Sequence, residues 1–166
     1  MNAETIIQKL DLQPHPEGGW YRETYRCDEG VAADAISGRY GADKTHSTAI
    51  YFLITADNCS RMHRLQSDEI FHFYCGDPVK ILRLYPDGQG DRQILGADLA
   101  AGQHPQCVVP RNVWQGLSVL PGEGWTLLGT TVSPGFDFAD IEYGSRNALL
   151  TQYPGYRQDI IDLTND

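Results

Sequence analysis

The order of apolar and polar residues along the chain predicts a protein built mainly from β-strands. After residue 19, short runs rich in β-branched and aromatic residues alternate with Gly, Pro, Asp and Asn, a pattern typical of strands joined by turns. These runs follow one another too closely to leave room for helices, which favours an antiparallel sandwich or barrel. The expected strands span residues 19–26, 47–56, 60–65, 69–75, 79–85, 92–96, 105–109, 114–120 and 125–132.

Short helices are expected only near the two ends of the chain. Apolar residues recur at helical spacing behind Asn2, a candidate N-cap, and Pro14 is expected to stop this first helix. A second helix is expected over residues 145–153, where a Pro-Gly pair follows it, with an acidic tail over 157–166. The segment 28–46 has little periodicity and is expected to form a long loop.

Composition and charge narrow the classes of partner. The 166 residues are 41% hydrophobic and 21% charged, which suits one folded domain over residues 1–166. The net charge of -9 opposes binding to nucleic acid or anionic lipid. The sequence contains no apolar run long enough to span a membrane, and its first residues lack the features of a secretory signal. We therefore expect a cytoplasmic protein that binds a small molecule, with neither nucleic acid nor a membrane as partner.

The densest group of chemically useful side chains lies between residues 61 and 76. Here His63, Glu69 and Gly76 stand in the order His-x-x, three residues, Glu, six residues, Gly. This spacing resembles the first sequence motif of the cupin superfamily, in which a second His stands where this chain has Leu65. The segment therefore carries the motif with one imidazole fewer.

A second segment resembles the other cupin motif, Pro-x-Gly-x-x-His. It runs from Pro110 to Gln115, with Asn112 in the place of Gly and Gln115 in the place of His. Asn tolerates the left-handed backbone that a tight turn requires, so Asn112 is compatible with the motif. Gln115 changes the chemistry more, because an amide oxygen is a neutral and weaker metal ligand than imidazole.

Further segments are similar to a small cupin subfamily of unassigned function, and the resemblance extends from about residue 5 to residue 153. It implies an all-β cupin double-stranded β-helix (jelly roll) with short N-terminal and C-terminal helices. It also implies a homodimer and a ligand site in the mouth of the barrel. These segments are residues 16–23, 49–53, 63–69, 76–78 and 133–136.

The resemblance also extends, more distantly, to deoxyhexose epimerases of the cupin superfamily, which use no metal and place a His base opposite a Tyr acid. It implies that His63 is the base and that Asp68 or Glu69 orients it, because imidazole titrates near neutral pH. Alternation along the strand 69–75 places Glu69 and His72 on opposite faces, so only one of them can face the ligand. The candidate proton donors are Tyr21, Tyr51 and Tyr74, of which we expect Tyr21 to act with His63 and Glu69.

Other residues are candidates for contact with the ligand. Arginines can clamp a carboxylate or phosphate through paired N–H groups, although for each arginine alone a surface ion pair is the more common role in an acidic protein. Aromatic residues can line a pocket wall or fill the core. The expected ligand-binding residues are Trp20, Arg22, Arg61, Phe71, Trp114 and Gln115.

Three functions agree with these observations. The first is a metal-independent isomerase or epimerase, without cofactor, that acts on a carbohydrate-like or carboxylate metabolite. The second is a metal-dependent cupin oxygenase or isomerase in which His63, Glu69 and Gln115 bind a divalent metal such as Fe, Mn or Zn. The third is a ligand-binding or sensor domain that catalyses no reaction.

Overall fold

The computed structural model describes residues 2–36, 38–122 and 124–165. Strands are the main regular elements of these residues, and three short helices lie at the ends of the chain: α1 (Ala3–Leu10), α2 (Arg146–Gln152) and α3 (Arg157–Asp162). The strands are β1 (Gln13–Pro14), β2 (Trp20–Arg26), β3 (Gly30–Val31), β4 (Lys44–Thr45), β5 (Thr48–Thr55), β6 (Cys59–Leu65), β7 (Asp68–Gly76), β8 (Val79–Leu84), β9 (Gly90–Leu95), β10 (Gln106–Val109), β11 (Trp114–Val119), β12 (Trp125–Ser133) and β13 (Ile141–Tyr143).

The strands form two large antiparallel sheets, and the chain crosses repeatedly between them. One sheet has the order β1-β2-β5-β12-β7-β10, the other has the order β13-β6-β11-β8-β9, and β3 pairs with β4. Strands β5, β6, β7 and β8 therefore lie alternately in one sheet and the other. This arrangement confirms the expected all-β jelly roll with short helices at both ends. The expectation of a single domain over residues 1–166 stays a prediction.

All nine expected strands are present, with ends that differ from the expected ones by at most two residues. The short strands β1, β3, β4 and β13 were not predicted, because two or three residues cannot display an alternating pattern. The segment 28–46 is consequently not a plain loop, since it contains β3, β4 and a turn of 3-10 helix at Ala33–Ala35.

The helices follow the expectations in part. Asn2 caps α1, where its side chain accepts a hydrogen bond from the Thr5 N–H at 3.0 Å. The helix ends at Leu10 because Asp11 adopts a left-handed conformation with φ of 52°, so the expectation that Pro14 stops the helix is wrong. The prediction of an acidic tail is also wrong in part, because residues Arg157–Asp162 form α3. Asp159 in α3 bonds Lys80 and Arg92 instead of facing solvent alone.

The helices cover the outer faces of the two sheets, and the main core lies between the sheets. Ile6 of α1 packs against Leu53 of the larger sheet, and Ile160 of α3 packs on the smaller sheet. Phe52 belongs to the core between the sheets and also lines the cavity described below. The cavity therefore begins where the packed core ends. Within the described part of the chain, no helix has the length and hydropathy needed to cross a membrane.

A buried ion pair fastens the segment between β3 and β5 to the loop that follows β12. Lys44 Nζ lies 2.5 Å from Asp140 Oδ2, and the two side chains are 6% and 7% exposed. The Lys44 Nζ also lies 5.4 Å from the centre of the Tyr40 ring. Removal of one partner would leave an uncompensated charge in the interior.

We predict that Asp140→Asn lowers the free energy of unfolding by about 3 kcal/mol, because it leaves the Lys44 ammonium buried without its counter-ion. Urea denaturation at neutral pH measures the change. The matched control is Glu142→Gln, which breaks the more exposed pair with Arg64 and should cost less than about 1 kcal/mol. Equal effects of the two substitutions would show that the buried pair has no special role in stability.

Candidate active site

A cavity of about 340 Å³ lies between the two sheets at one end of the sandwich. Both sheets and two loops contribute to its wall, so residues distant in sequence face the same space. The loop between β1 and β2 and the segment after β12 complete the wall on the open side. The lining residues used below are His15, Glu17, Tyr21, Glu23, Arg26, His63, Glu69, Asp137 and Phe138.

Three polar residues from three different strands meet at the inner end of this cavity. The Gln115 Nε2 donates a hydrogen bond to Glu69 Oε2 at 2.6 Å and lies 3.2 Å from His63 Nε2. Gln115 on β11 is directly opposite His63 on β6 in the smaller sheet, and Glu69 reaches them from β7 of the other sheet. His63 and Glu69 line the cavity, whereas Gln115 is only 1% exposed and lies behind them.

The hydrogen bonds of His63 define where its ring carries a proton. The His63 Nδ1 lies 2.7 Å from the carbonyl oxygen of Arg61. A carbonyl oxygen only accepts, so Nδ1 must carry a hydrogen. In the neutral imidazole Nε2 is then an acceptor, and it receives an N–H from the Gln115 amide. The amide thus holds the ring and the Glu69 carboxyl at a fixed separation.

A second carboxyl group reaches His63 from the loop between β1 and β2. Glu17 is 8% exposed, and its Oε2 lies 3.2 Å from His63 Nδ1. Its Oε1 accepts a hydrogen bond from Ser60 Oγ at 3.1 Å. The loop can approach β6 this closely because residue 18 is glycine: a Cβ there would lie 2.1 Å from the Cys59 carbonyl oxygen, and φ of Gly18 is +111°.

Burial moves the pKa values of this cluster towards its neutral forms. Desolvation raises the pKa of Glu17 to about 8, against the opposing effects of the Ser60 hydrogen bond and the Arg61 charge. Burial likewise raises the pKa of Glu69 and lowers the pKa of His63. Desolvation, together with the charge of His63, lowers the pKa of His15 to about 4. Near neutral pH, the contact between Glu17 and His63 is therefore a hydrogen bond between uncharged groups rather than an ion pair.

The geometry of the three expected metal ligands does not fit a metal centre. The amide nitrogen of Gln115, which has no lone pair to offer, lies between His63 and Glu69. Within residues 2–36, 38–122 and 124–165, no three His, Cys, Asp or Glu side chains are grouped so that they can hold a metal ion. A catalytic zinc site usually has three protein ligands. We therefore derive no chemical step through a metal.

One of the three candidate tyrosines faces the cavity. Tyr21 lines the wall, and its ring meets the His15 ring edge to face with centroids 4.6 Å apart. Tyr51 and Tyr74 lie on the outer face of the larger sheet, where their rings contact each other with centroids 6.1 Å apart. His72 also lies on that face, where it bonds Thr131, as alternation along β7 predicts once Glu69 faces inwards.

The two arginines expected to bind the ligand have other partners. The Arg22 guanidinium lies 5.7 Å from the centre of the Tyr51 ring, on the outer face of the larger sheet. The Arg61 side chain donates hydrogen bonds to the carbonyl oxygens of Pro16 and Glu17. Neither side chain lines the cavity, so our proposed site leaves them out as ligand contacts.

The three expected aromatic contacts are packing residues. Trp20 packs in the layer between the larger sheet and α1. Phe71 is 2% exposed and belongs to the core between the sheets. Trp114 is buried beneath the helices on the smaller sheet. Their side chains do not line the cavity, because each strand also has to supply residues for an outer layer or for the core.

Sequence reasoning missed His15, Glu17 and Phe138, which all line the cavity. The His15 Nδ1 accepts a hydrogen bond from the Glu17 N–H at 3.3 Å, and the residue lines the cavity. The pair Gly18-Gly19 was a signal for a tight loop. Nothing in the local sequence indicates that this loop folds back over β6, because that contact joins distant segments.

Comparisons with known proteins agree with this architecture. A family model described as "Cupin superfamily (DUF985)" matches residues 4–144. An uncharacterized protein of Saccharomyces cerevisiae is 30% identical over 147 residues, which cover 84% of this chain and 73% of the yeast protein.

Solved structures of other proteins are similar to this chain in fold. A hypothetical protein from Leishmania major is 31% identical, with a TM-score of 0.90 and coverage of 100% of both chains. A protein from Shewanella oneidensis is 36% identical, with a TM-score of 0.88 and coverage of 99% of this chain and 98% of that one. Oxalate decarboxylase from Bacillus subtilis is 10% identical, with a TM-score of 0.56 and coverage of 93% of this chain and 37% of that one. This last similarity concerns the fold alone.

The raised pKa of Glu17 predicts a dependence of stability on pH. Between the ordinary value of 4.5 and the folded value of about 8, the folded protein keeps a proton that the unfolded chain has lost. The contribution of Glu17 to the free energy of unfolding therefore falls as the pH rises and levels off above pH 8. His15 acts in the opposite direction, but only between its folded pKa of about 4 and its ordinary value of 6.5.

We therefore expect Glu17→Gln to gain stability relative to the native chain between pH 6.5 and 8, by up to about 1 kcal/mol per pH unit. Urea denaturation of both proteins over this range measures the difference. Parallel pH profiles for the two proteins would show that Glu17 does not hold its proton in the folded state.

Proposed function

This chain belongs to the DUF985 family of the cupin superfamily, and we propose that it binds a small carbohydrate-like metabolite in its cavity and isomerises or epimerises it by proton transfer. The observation that carries the proposal is the meeting of His63, Glu69 and Tyr21 in one cavity of about 340 Å³. This volume is near the lower end of the range for small-molecule sites, about 300 to 1,000 Å³. It suits a ligand the size of one sugar ring.

The charges along the wall favour a neutral ligand over a carboxylate or phosphate. Four acidic residues, Glu17, Glu23, Glu69 and Asp137, line the cavity together with the cation Arg26. Arg26 is already engaged, since it donates two hydrogen bonds to the Glu23 carboxylate, at 2.9 and 2.7 Å. Sugar hydroxyl groups can donate hydrogen bonds to carboxyl oxygens, whereas an anionic ligand would find no unpaired cation among the described residues of the wall. Of the two metabolite classes expected from the sequence, the carbohydrate-like class has the better support.

Aromatic side chains supply the apolar part of the wall. The rings of Tyr21 and Phe138 both lie next to the His15 ring, with centroids 4.6 and 5.8 Å from it. Such rings can pack against the C–H faces of a sugar while nearby polar groups contact its hydroxyls. The arrangement suits a ligand that is polar at its edges and apolar on its faces.

The proposed reaction begins with loss of a proton from the carbon next to a carbonyl group. The C–H bond breaks, its electron pair moves towards the carbonyl, and the proton goes to the Glu69 carboxylate, which the Gln115 amide holds beside His63. Gln115 keeps this pair together through its two N–H groups. The Tyr21 hydroxyl gives its proton to the same carbon from another side of the cavity, which yields the epimer or isomer. The starting state returns when Glu69 releases its proton to solvent and the Tyr21 oxygen takes one up.

We also propose that the protein is a homodimer, as the resemblance implies. Tyr25, Tyr74 and Val108 are 52%, 50% and 46% exposed, and they lie on the outer face of the larger sheet. Exposed apolar and aromatic groups that share a face often mark an interface between subunits. Light scattering should give twice the mass of the chain, and a monomer over a wide range of concentrations would contradict the proposal.

We predict that neutral monosaccharides and deoxy sugars raise the melting temperature, because a ligand that binds only the folded state stabilises it. The shift should shrink in Phe138→Ala, which removes part of the wall. It should persist in the control Leu99→Ala, an exposed apolar residue that does not line the cavity. Thermal denaturation with a panel of sugars, sugar phosphates and keto acids measures the effect. Stabilisation by the anionic compounds alone would contradict the proposed ligand class.

We further predict that a stabilising sugar exchanges a carbon-bound hydrogen for deuterium when it is incubated with the protein in D₂O. His63→Asn and Glu69→Gln should each slow this exchange by about 100-fold or more, since each removes an acid–base group. His72→Asn, on the outer face of β7, should exchange at the native rate. Proton NMR follows the reaction. Binding without exchange in the native protein would favour the sensor function over the enzyme.

A further inference from the structure

We propose that Glu17 is a second catalytic carboxyl group, which protonates the ligand's carbonyl oxygen while His63 and Glu69 remove the proton from carbon. The inference rests on the proposed function, because it assigns the general acid of the same reaction. Glu17 was not among the residues expected from the sequence, and its placement follows from contacts between the first loop and β6.

The two carboxyl groups approach His63 from opposite sides. Glu17 Oε2 is 3.2 Å from His63 Nδ1, while Glu69 is linked to the Nε2 side through the Gln115 amide. All three titratable side chains line the same cavity. A ligand in that space can therefore meet a proton donor and a proton acceptor at the same time.

The hydrogen bonds leave the Glu17 proton available to a ligand. His63 Nδ1 faces the Arg61 carbonyl and carries a hydrogen, so it can donate to Glu17 but cannot take its proton. Ser60 Oγ also donates to Glu17, at Oε1. Burial keeps the carboxyl protonated near neutral pH by raising its pKa to about 8. Once the proton has left, the same two donors stabilise the carboxylate that remains.

Arg61 fixes the position of Glu17 relative to His63. The Glu17 carbonyl oxygen accepts from both the Arg61 backbone N–H, at 3.0 Å, and the Arg61 Nε, at 3.1 Å. The guanidinium also donates to the Pro16 carbonyl oxygen. Because Arg61 and His63 lie two residues apart on β6, the loop is fastened to the strand that carries the imidazole. Arg61 is therefore a positioning residue and not a ligand contact.

The proposed step conserves charge and atoms. The C–H bond of the ligand breaks and its electron pair forms a C=C bond, while the carbonyl π electrons move to oxygen and form an O–H bond with the Glu17 proton. The His63–Glu69 pair gains one proton and Glu17 loses one, so the net charge of the site does not change. In the second half of the reaction carbon is reprotonated, and a ligand hydroxyl returns a proton to Glu17.

The pH dependence of this step depends on every titratable group near Glu17. Glu69 approaches from β7 of the larger sheet, and the other groups come from the loop, β6 and β13. The charge of Arg61 opposes the rise that burial causes in the pKa of Glu17, and burial together with the charge of Glu17 raises the pKa of Tyr143. The neighbouring titratable and charged groups are His15, Cys59, Arg61, His63, Glu69 and Tyr143.

The test compares Glu17→Gln with the native protein in binding, exchange and carboxyl titration. We expect Glu17→Gln to bind the stabilising sugar, as judged by its thermal shift, but to exchange carbon-bound hydrogen at least about 100-fold more slowly. The ¹³C signals of the glutamate carboxyls should include one that titrates near pH 8 and disappears in the variant. Arg61→Met should slow exchange, and Arg61→Lys should restore part of it.

The outcomes separate the two proposals. Exchange by Glu17→Gln at the native rate, or the absence of a carboxyl that titrates near pH 8, would overturn the role of Glu17 and leave the proposed function intact. If Glu17→Gln loses both binding and exchange, Glu17 is a ligand-binding residue and the acid role is overturned. Binding without exchange in the native protein would overturn both proposals.

Discussion

The polar cluster between the sheets is the constraint on which the rest of the structure depends. His63, Gln115 and Glu69 come from three strands of two sheets and are almost completely buried. Buried polar groups are costly unless each finds a partner. The partners of His63, Glu69 and the Gln115 Nε2 exist only when β6 pairs with β11 in the observed register, β7 lies in the facing sheet and the loop with Glu17 lies against β6. Within the described residues, the Gln115 Oε1 has no hydrogen-bond partner. The fold and the cavity chemistry are thus linked through one set of hydrogen bonds.

The same burial gives the cavity its chemical character. Low solvent exposure favours the neutral forms of carboxyl and imidazole groups. The site therefore combines proton donors and acceptors without a large net charge. The wall offers acidic oxygens, aromatic rings and one cation that is already paired. A neutral, hydroxylated ligand suits these properties better than an anion does. The family supplies the architecture, whereas the substrate class has to be argued from these side chains, because cupin-like folds carry unrelated functions.

The sequence alone predicted most of the fold and part of the site. Alternating residues placed all nine longer strands, and the motif spacing brought His63, Glu69 and Gln115 together. The sequence could not predict that Trp20, Phe71 and Trp114 pack in the core or its outer layers, since alternation along a strand does not say which face borders a cavity. Nor could it predict Glu17, because the contact between its loop and β6 joins segments that are distant in sequence. The orientation of the Gln115 amide distinguishes a proton-transfer site from a metal site, and it likewise depends on neighbours from other strands.

The protonation state of His63 tests the account most directly. ¹⁵N NMR of the imidazole at neutral pH should show a neutral ring with its hydrogen on Nδ1, and both nitrogen resonances should shift when a stabilising sugar is added. This result would agree with a buried, uncharged site in contact with the ligand. A doubly protonated ring at neutral pH, or resonances that stay unchanged when the protein is saturated with the sugar, would contradict it.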